Sequence, residues 1–175
     1  VDRLPEPVPP KNVKDPAKIA AKITEAKKKA IADMALNPMY GRICCVTLLR
    51  EEDNGLLQPF TWVVEENEEA EKEIIWNSFR LISDTTRLVT WNGIGFDLPY
   101  LWKRAMILGI KPPTKLSKYT KRYSSEQHID LMQVWAGWNS QNYAKLEDVS
   151  QAILNEGKQS IDFKEFPALL KTPQG

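Results

Sequence analysis

Cysteine is almost missing from this chain: Cys44 and Cys45, adjacent in sequence, are the whole supply. They fall on an expected strand, where neighbouring side chains point to opposite faces, and a disulfide framework is excluded. A reducing, cytoplasmic location is the expectation. Histidine is scarcer still. His128 stands alone, no second histidine or cysteine cluster supports a zinc site, and a structural hydrogen-bonding role is expected of it. Neither sign of charge is in excess, and a net charge of +1 leaves no overall field to argue for nucleic acid. No apolar run is long enough to span a membrane and no signal-peptide pattern is seen, so no membrane partner is expected. Glycine is outnumbered, 8 against 12 prolines, which points to ordered loops and away from a disordered tail.

What is there is an ordinary globular composition in 175 residues, enough for one α/β domain with a real core. Residues 1–14 are proline-rich, with Pro5, Pro7, Pro9 and Pro10 favouring extended backbone, and read as an arm ahead of a single domain over residues 15–175. Asp15-Pro16 has the form of an N-cap followed by proline at the first helical position. The helix it opens runs to about Ala35, with Ile19, Ile23, Ala26, Ala30 and Met34 on one side and Lys18, Lys22, Lys27, Lys28 and Lys29 on the others. A solvated face and a contact with phosphate both stay open for those lysines. After the break at Asn37-Pro38, Ile43 to Leu49 is a nearly continuous apolar run of the kind covered on both faces. Asn54-Gly55 then signals a hairpin, and Leu57 to Val64 returns antiparallel. Glu65, Glu66, Glu68, Glu69, Glu71 and Glu73 crowd the first turns of a surface helix reaching Ser83, where they complement its dipole and are not taken for a metal site.

Leu88 to Trp91 is a short apolar strand, Gly93 and Gly95 supply a tight turn, and from Asp97 the spacing becomes helical to about Leu108. Gly109 suits the C′ position and Pro112-Pro113 prevents continuation. A strand therefore ends, turns sharply and feeds a helix, and open α/β sheets place ligands at such carboxyl edges. On residue type alone Asp97 suits a helix N-cap, with Pro99 in the first turn. The string Asn92-Gly93-Ile94-Gly95-Phe96-Asp97, followed by Leu98-Pro99-Tyr100-Leu101, resembles the second motif, Asn-x-x-x-Phe-Asp, of the DEDD or DnaQ-like 3′→5′ exonucleases. It most resembles the branch related to the proofreading domain of family B DNA polymerases.

That resemblance implies a ribonuclease H-like α/β fold with a mixed central sheet flanked by helices. It implies that Asp97 helps to hold two divalent metals, Mg2+ or Mn2+, that Asn92 supports the catalytic site, and that Phe96 packs close to the bound strand. A His-x-Asp-Leu segment similar to His128-Ile129-Asp130-Leu131 follows the second motif in the polymerase-type enzymes, which makes Asp130 a further metal-site candidate. Beyond it, Val134, Trp135 and Trp138 belong to one expected helix. Leu146, Val149, Ile153 and Leu154 mark another, closed by Gly157, and Lys158 to Gly175 lack a strong pattern.

From Lys103 through Ser125 there is no acidic residue, while Lys103, Arg104, Lys111, Lys115, Lys118, Lys121 and Arg122 accumulate with Tyr119 and Tyr123 among them. Lysine and arginine of this kind hold phosphates and tyrosines stack on unpaired bases, so Lys118, Tyr119, Lys121, Arg122 and Tyr123 are the candidate contacts to nucleic acid. A solvated loop is the alternative.

The family's chemistry also uses an Asp-x-Glu pair on the first strand and a late aspartate preceded by tyrosine or histidine. The pair is missing here, and Tyr143 with Glu147, the closest approach to Tyr-x-x-x-Asp, falls early and has the wrong acid. Two expectations compete. In the first, which is preferred, the chain is a fragment whose missing acids lie immediately before Val1 and shortly after Gly175. The complete protein then hydrolyses DNA, or RNA, from the 3′ end with two metal ions, and single-stranded DNA is the partner. In the second the chain is a catalytically inactive nucleic-acid-binding or scaffolding domain. On either one, this chain alone is expected to hydrolyse little, because one carboxylate cannot organise two cations.

Overall fold

A computed structural model describes residues 5–9, 11–63, 67–85 and 87–157, with residues 114–116 described by their backbone alone. Glu65, Glu66, the end of the expected second strand at Val64, the side chain of Lys115 and the whole of Lys158 to Gly175 lie outside the described residues.

Helix α1 spans Pro16–Ala32, and it starts where the sequence says it should, because Asp15 accepts from the Ala17 N–H at 2.9 Å and proline needs no partner in the first turn. A 3-10 turn over Asp33–Leu36 continues it to Asn37. No residue of α1 is buried, and Ile19, Ile23 and Ala30 are half-covered along one side. Strands β1, Cys45–Glu51, and β2, Leu57–Val63, pair antiparallel with Cys45 opposite Val63 and Glu51 opposite Leu57. Gly55, at φ 77°, takes the left-handed position of the turn while the Asn54 side chain accepts from the Leu56 N–H at 2.9 Å. The expectation of a strand covered on both faces is corrected here. Val46 and Leu48 are half-buried, but Cys45, Thr47 and Leu49 are exposed, and Thr47 meets Thr61 across the open face at 3.1 Å. The apolar run reflects one packed face and one merely β-prone face. Cys44, half-buried, and Cys45, exposed, carry no disulfide.

Helix α2, Glu68–Asp84, is capped by Asn67, which accepts from the Ala70 N–H at 2.8 Å. It buries Ile74, Ile75, Ser78, Phe79 and Ile82 along a helical stripe. Strand β3, Leu88–Thr90, precedes helix α3, Asp97–Ile107, which buries Leu98, Leu101, Arg104 and Ala105. Gly109, at φ 74°, closes α3 as expected, with Ile110 N–H donating to the Ala105 carbonyl at 2.8 Å. The stripes of α2 and α3 join Ile43 and Tyr119 in one core, flanked by Val46, Leu48 and Trp62 of the hairpin. Each large apolar side chain so buried contributes about 1.5–3 kcal/mol, which is what fixes the start of α3.

Strand β4, His128–Asp130, pairs with β3, so the four strands stand in two pairs among the described residues. Helix α4, Leu131–Trp135, stops short of Trp138, since Gly137 and Trp138 both turn to positive φ. Helix α5, Leu146–Leu154, is closed by Asn155 in the left-handed conformation and not by Gly157. Among the described residues, those up to Leu88 together with Gly93–Ile129 make one compact unit, and Val89–Asn92 together with those from Asp130 onward a second. In the second, Met132, Gln133, Ala136 and Val149 are buried, and Gln133 and Tyr143 exchange two hydrogen bonds of 2.7 and 2.9 Å. No described helix is long and apolar enough to cross a membrane.

Candidate active site

Between β3 and α3 the backbone makes its sharp turn at Asn92, which stands at φ 64°, a conformation asparagine tolerates better than most residues. Its N–H donates to Oδ1 of Asp130 at 2.8 Å, and the same oxygen accepts from the Met132 N–H at 3.2 Å as the N-cap of α4. Asp130 is 1% exposed. Asp130, expected as a metal-site candidate, is in this structure a buried cap that fixes the Asn92 turn. A buried carboxylate is retained there because two backbone donors would otherwise lack an acceptor.

Past the turn, the Gly93 carbonyl accepts from the Leu98 N–H at 3.0 Å and the Phe96 carbonyl from the Tyr100 N–H at 2.9 Å. Phe96, not Asp97, occupies the cap position of α3, and it makes no side-chain cap bond. Asp97 is the first helical residue and is exposed, at the end of the helix dipole that favours negative charge. Phe96 is 40% exposed and its ring lies 5.6 Å from that of Tyr100, tilted by 47°.

Three residues on which the sequence reading placed no site role hold α3 in place. Glu71, 1% exposed, takes Arg104 Nε at 2.8 Å and Arg104 Nη2 at 2.7 Å, and also accepts from the Ile43 N–H at 2.9 Å. Arg104 Nη1 donates to the Pro38 carbonyl at 3.0 Å. The hydrogen bonds to Glu71 push the Arg104 guanidinium further above its ordinary value, against burial, so it stays charged. Tyr100 donates its hydroxyl to the Ala35 carbonyl at 2.8 Å. Helical spacing was the available signal, since Glu71 lies on the same stripe as Ile74, Ile75 and Ser78.

The basic segment divides. Tyr119 is fully buried, its hydroxyl donating to the Thr85 carbonyl at 2.6 Å and its own carbonyl paired with Nδ1 of the buried His128. The expectation that Tyr119 stacks on a base is corrected: its ring is part of the core and Lys118 covers it, with the ammonium 4.5 Å from the ring centroid. Arg104, also counted in this run, is spent on Glu71. Lys121 and Arg122 remain exposed, and Tyr123, at φ 59°, is 74% exposed. His128 has the structural role expected of it.

Among the described residues no three His, Cys, Asp or Glu side chains gather into a group able to hold a metal ion. Asp97 is part of no such group among the described residues.

Residues 35–173 match the family described as predicted 3′–5′ exonucleases related to the exonuclease domain of PolB. The chain is similar to DNA polymerase 1 of Sulfurisphaera ohwakuensis, 30% identical over 67% of the chain and 15% of that protein. It is similar to DNA polymerase 1 of Pyrococcus abyssi, 27% identical over 85% of the chain and 24% of that protein. With DNA polymerase of Thermococcus litoralis the identity is 29% over 59% of the chain and 7% of that protein. The chain therefore spans a small part of the length of the curated relatives it matches.

Proposed function

Because the chain belongs to the family of predicted 3′–5′ exonucleases related to the exonuclease domain of PolB, we propose that it carries the second-motif part of an exonuclease that removes nucleotides from the 3′ end of DNA. Its fold is α/β, of the ribonuclease H-like kind. The observation that supports the activity is the family match over residues 35–173, within which Asp97 is exposed at the first turn of α3. In this reading residues 15–175 form the exonuclease-like domain behind a proline-rich arm. Asp97 is a ligand for Mg2+ or Mn2+, acting beside carboxylates that the described residues do not assemble. Asn92 sets the turn, Phe96 packs on the terminal nucleotide, and Lys121, Arg122 and Tyr123 follow the single strand. When bound, such metal ions activate a water and stabilise the departing 3′ oxygen.

The test is release of a 3′-terminal label from single-stranded DNA by the full-length protein with magnesium. Release as mononucleotide is expected, with Asp97→Asn slowing it by roughly 100-fold or more, as loss of a metal ligand implies. Release from the 5′ end first, or an Asp97→Asn protein of undiminished rate, overturns the reading. The absence of a three-ligand group among the described residues favours a second reading, a non-catalytic DNA-binding domain. It is recognised by oligonucleotide binding without release, insensitive to Asp97→Asn.

A further inference from the structure

Tyr100 joins the residue next to the proposed metal ligand to a segment far away in sequence. Its ring lies 5.6 Å from Phe96, and its hydroxyl ends on the Ala35 carbonyl at 2.8 Å. Gly41, which is buried, keeps the space for that hydroxyl: a Cβ there would strike it and lie 2.6 Å from the Ala35 oxygen. One turn on, Arg104 reaches the same segment through the Pro38 carbonyl at 3.0 Å. Residues four apart share a helix face, so both bonds draw one face of α3 onto residues 35–41. Phe96 itself has non-helical backbone and no cap bond, and its one aromatic contact among the described residues is Tyr100.

We propose that Tyr100 is a positioning residue that sets the Phe96 ring, with the Ala35 carbonyl and Gly41 as its seat, and thereby fixes the surface offered to the 3′-terminal base. The hydroxyl tether selects one rotamer of the residue 100 ring, and that ring leaves Phe96 one orientation. Burial holds the phenol above its ordinary value, opposed by Arg104 and reinforced by Glu71 and Cys44, so Tyr100 remains an O–H donor at neutral and mildly alkaline pH. The contact with the terminal base rests on the exonuclease reading, whereas the seating of Phe96 does not.

Two measurements on this chain separate those halves. In the first, 4-fluorophenylalanine is placed site-specifically at position 96 and followed by fluorine NMR. Tyr100→Phe, which keeps the ring and removes the tether, is expected to shift and broaden that resonance, and Gly41→Ala, which attacks the seat from the other side, to do the same. A resonance unmoved by both variants overturns the proposal whatever happens with DNA. In the second, single-stranded oligonucleotides carry 2-aminopurine at the 3′ terminus or internally. Tyr100→Phe is expected to weaken the binding of the terminal probe roughly fivefold, the low end of a lost base–aromatic stack, and to leave the internal probe's signal unchanged. Equal signals and affinities for the two proteins overturn the terminal-base contact. A moved fluorine resonance in a chain that binds no oligonucleotide leaves the seat standing and overturns the DNA half.

Discussion

A carboxylate on a helix rich in glutamate ordinarily faces water, yet Glu71 is buried and takes three hydrogen bonds from Arg104 and Ile43. Its desolvation is offset only because every bond is made, so removing one partner leaves a buried charge alone. Arg104→Met is therefore expected to destabilise the chain by about 3–5 kcal/mol, and Glu71→Leu with Arg104→Met by much less than the two single changes added. Urea unfolding of the three variants measures this, and strict additivity would show that the pair is not coupled. The sequence carried half of this. Glu71 lies on the α2 stripe with Ile74, Ile75 and Ser78, but its neighbours Glu68, Glu69 and Glu73 made the whole cluster read as surface. Tyr119 failed for a related reason: among lysines, a core tyrosine and a base-stacking tyrosine look alike until the Thr85 carbonyl is found within reach of the hydroxyl.

Element boundaries were more legible, because glycine, proline and capping residues act locally. Asp15-Pro16 started α1, Asn54-Gly55 turned the hairpin and Gly109 closed α3, each by a backbone requirement that no distant contact has to supply. The pairing of β3 with β4, the one-sided cover of β1 and the end of α4 before Trp138 were not legible, because they depend on which surfaces meet. The turn after β3 mixes both kinds. Its glycines announced it, but its conformation at Asn92 is held by Asp130, 38 residues away in sequence. Asp130→Ala removes the acceptor from two backbone N–H groups and is expected to cost about 1–3 kcal/mol, whereas Asp130→Asn keeps an oxygen in place and is expected to cost far less. Thermal or urea unfolding distinguishes the two. On the proposed exonuclease reading, Asp130→Asn in the full-length protein should also retain most of the magnesium-dependent nuclease rate; a loss as large as that of Asp97→Asn would assign Asp130 to the metal.

At the scale of the whole molecule, a net charge of +1 gives DNA no general attraction, so any affinity has to be local. Two basic surfaces compete for it. One is α1, where Lys27 already pairs with Glu6 at 2.8 Å and Lys28 and Lys29 stand on an exposed helix. The other is Lys121-Arg122-Tyr123, exposed cations beside an exposed aromatic ring, the combination that holds phosphate and base together. Single-stranded DNA is expected to bind through the second. Each phosphate contact on a single strand contributes about 0.7 to the slope of log affinity against log salt, so Lys121→Ala with Arg122→Ala should lower that slope by about 1.4. Tyr123→Ala should weaken binding by about 1–3 kcal/mol and leave the slope unchanged, because stacking releases no counterions. Replacing Lys27, Lys28 and Lys29 together should change either quantity less than the two-residue variant does. Fluorescence anisotropy of a labelled oligonucleotide across a salt series reads all of these, and equal slopes lost from the two basic surfaces would mean that DNA is held by diffuse charge and not along a defined path.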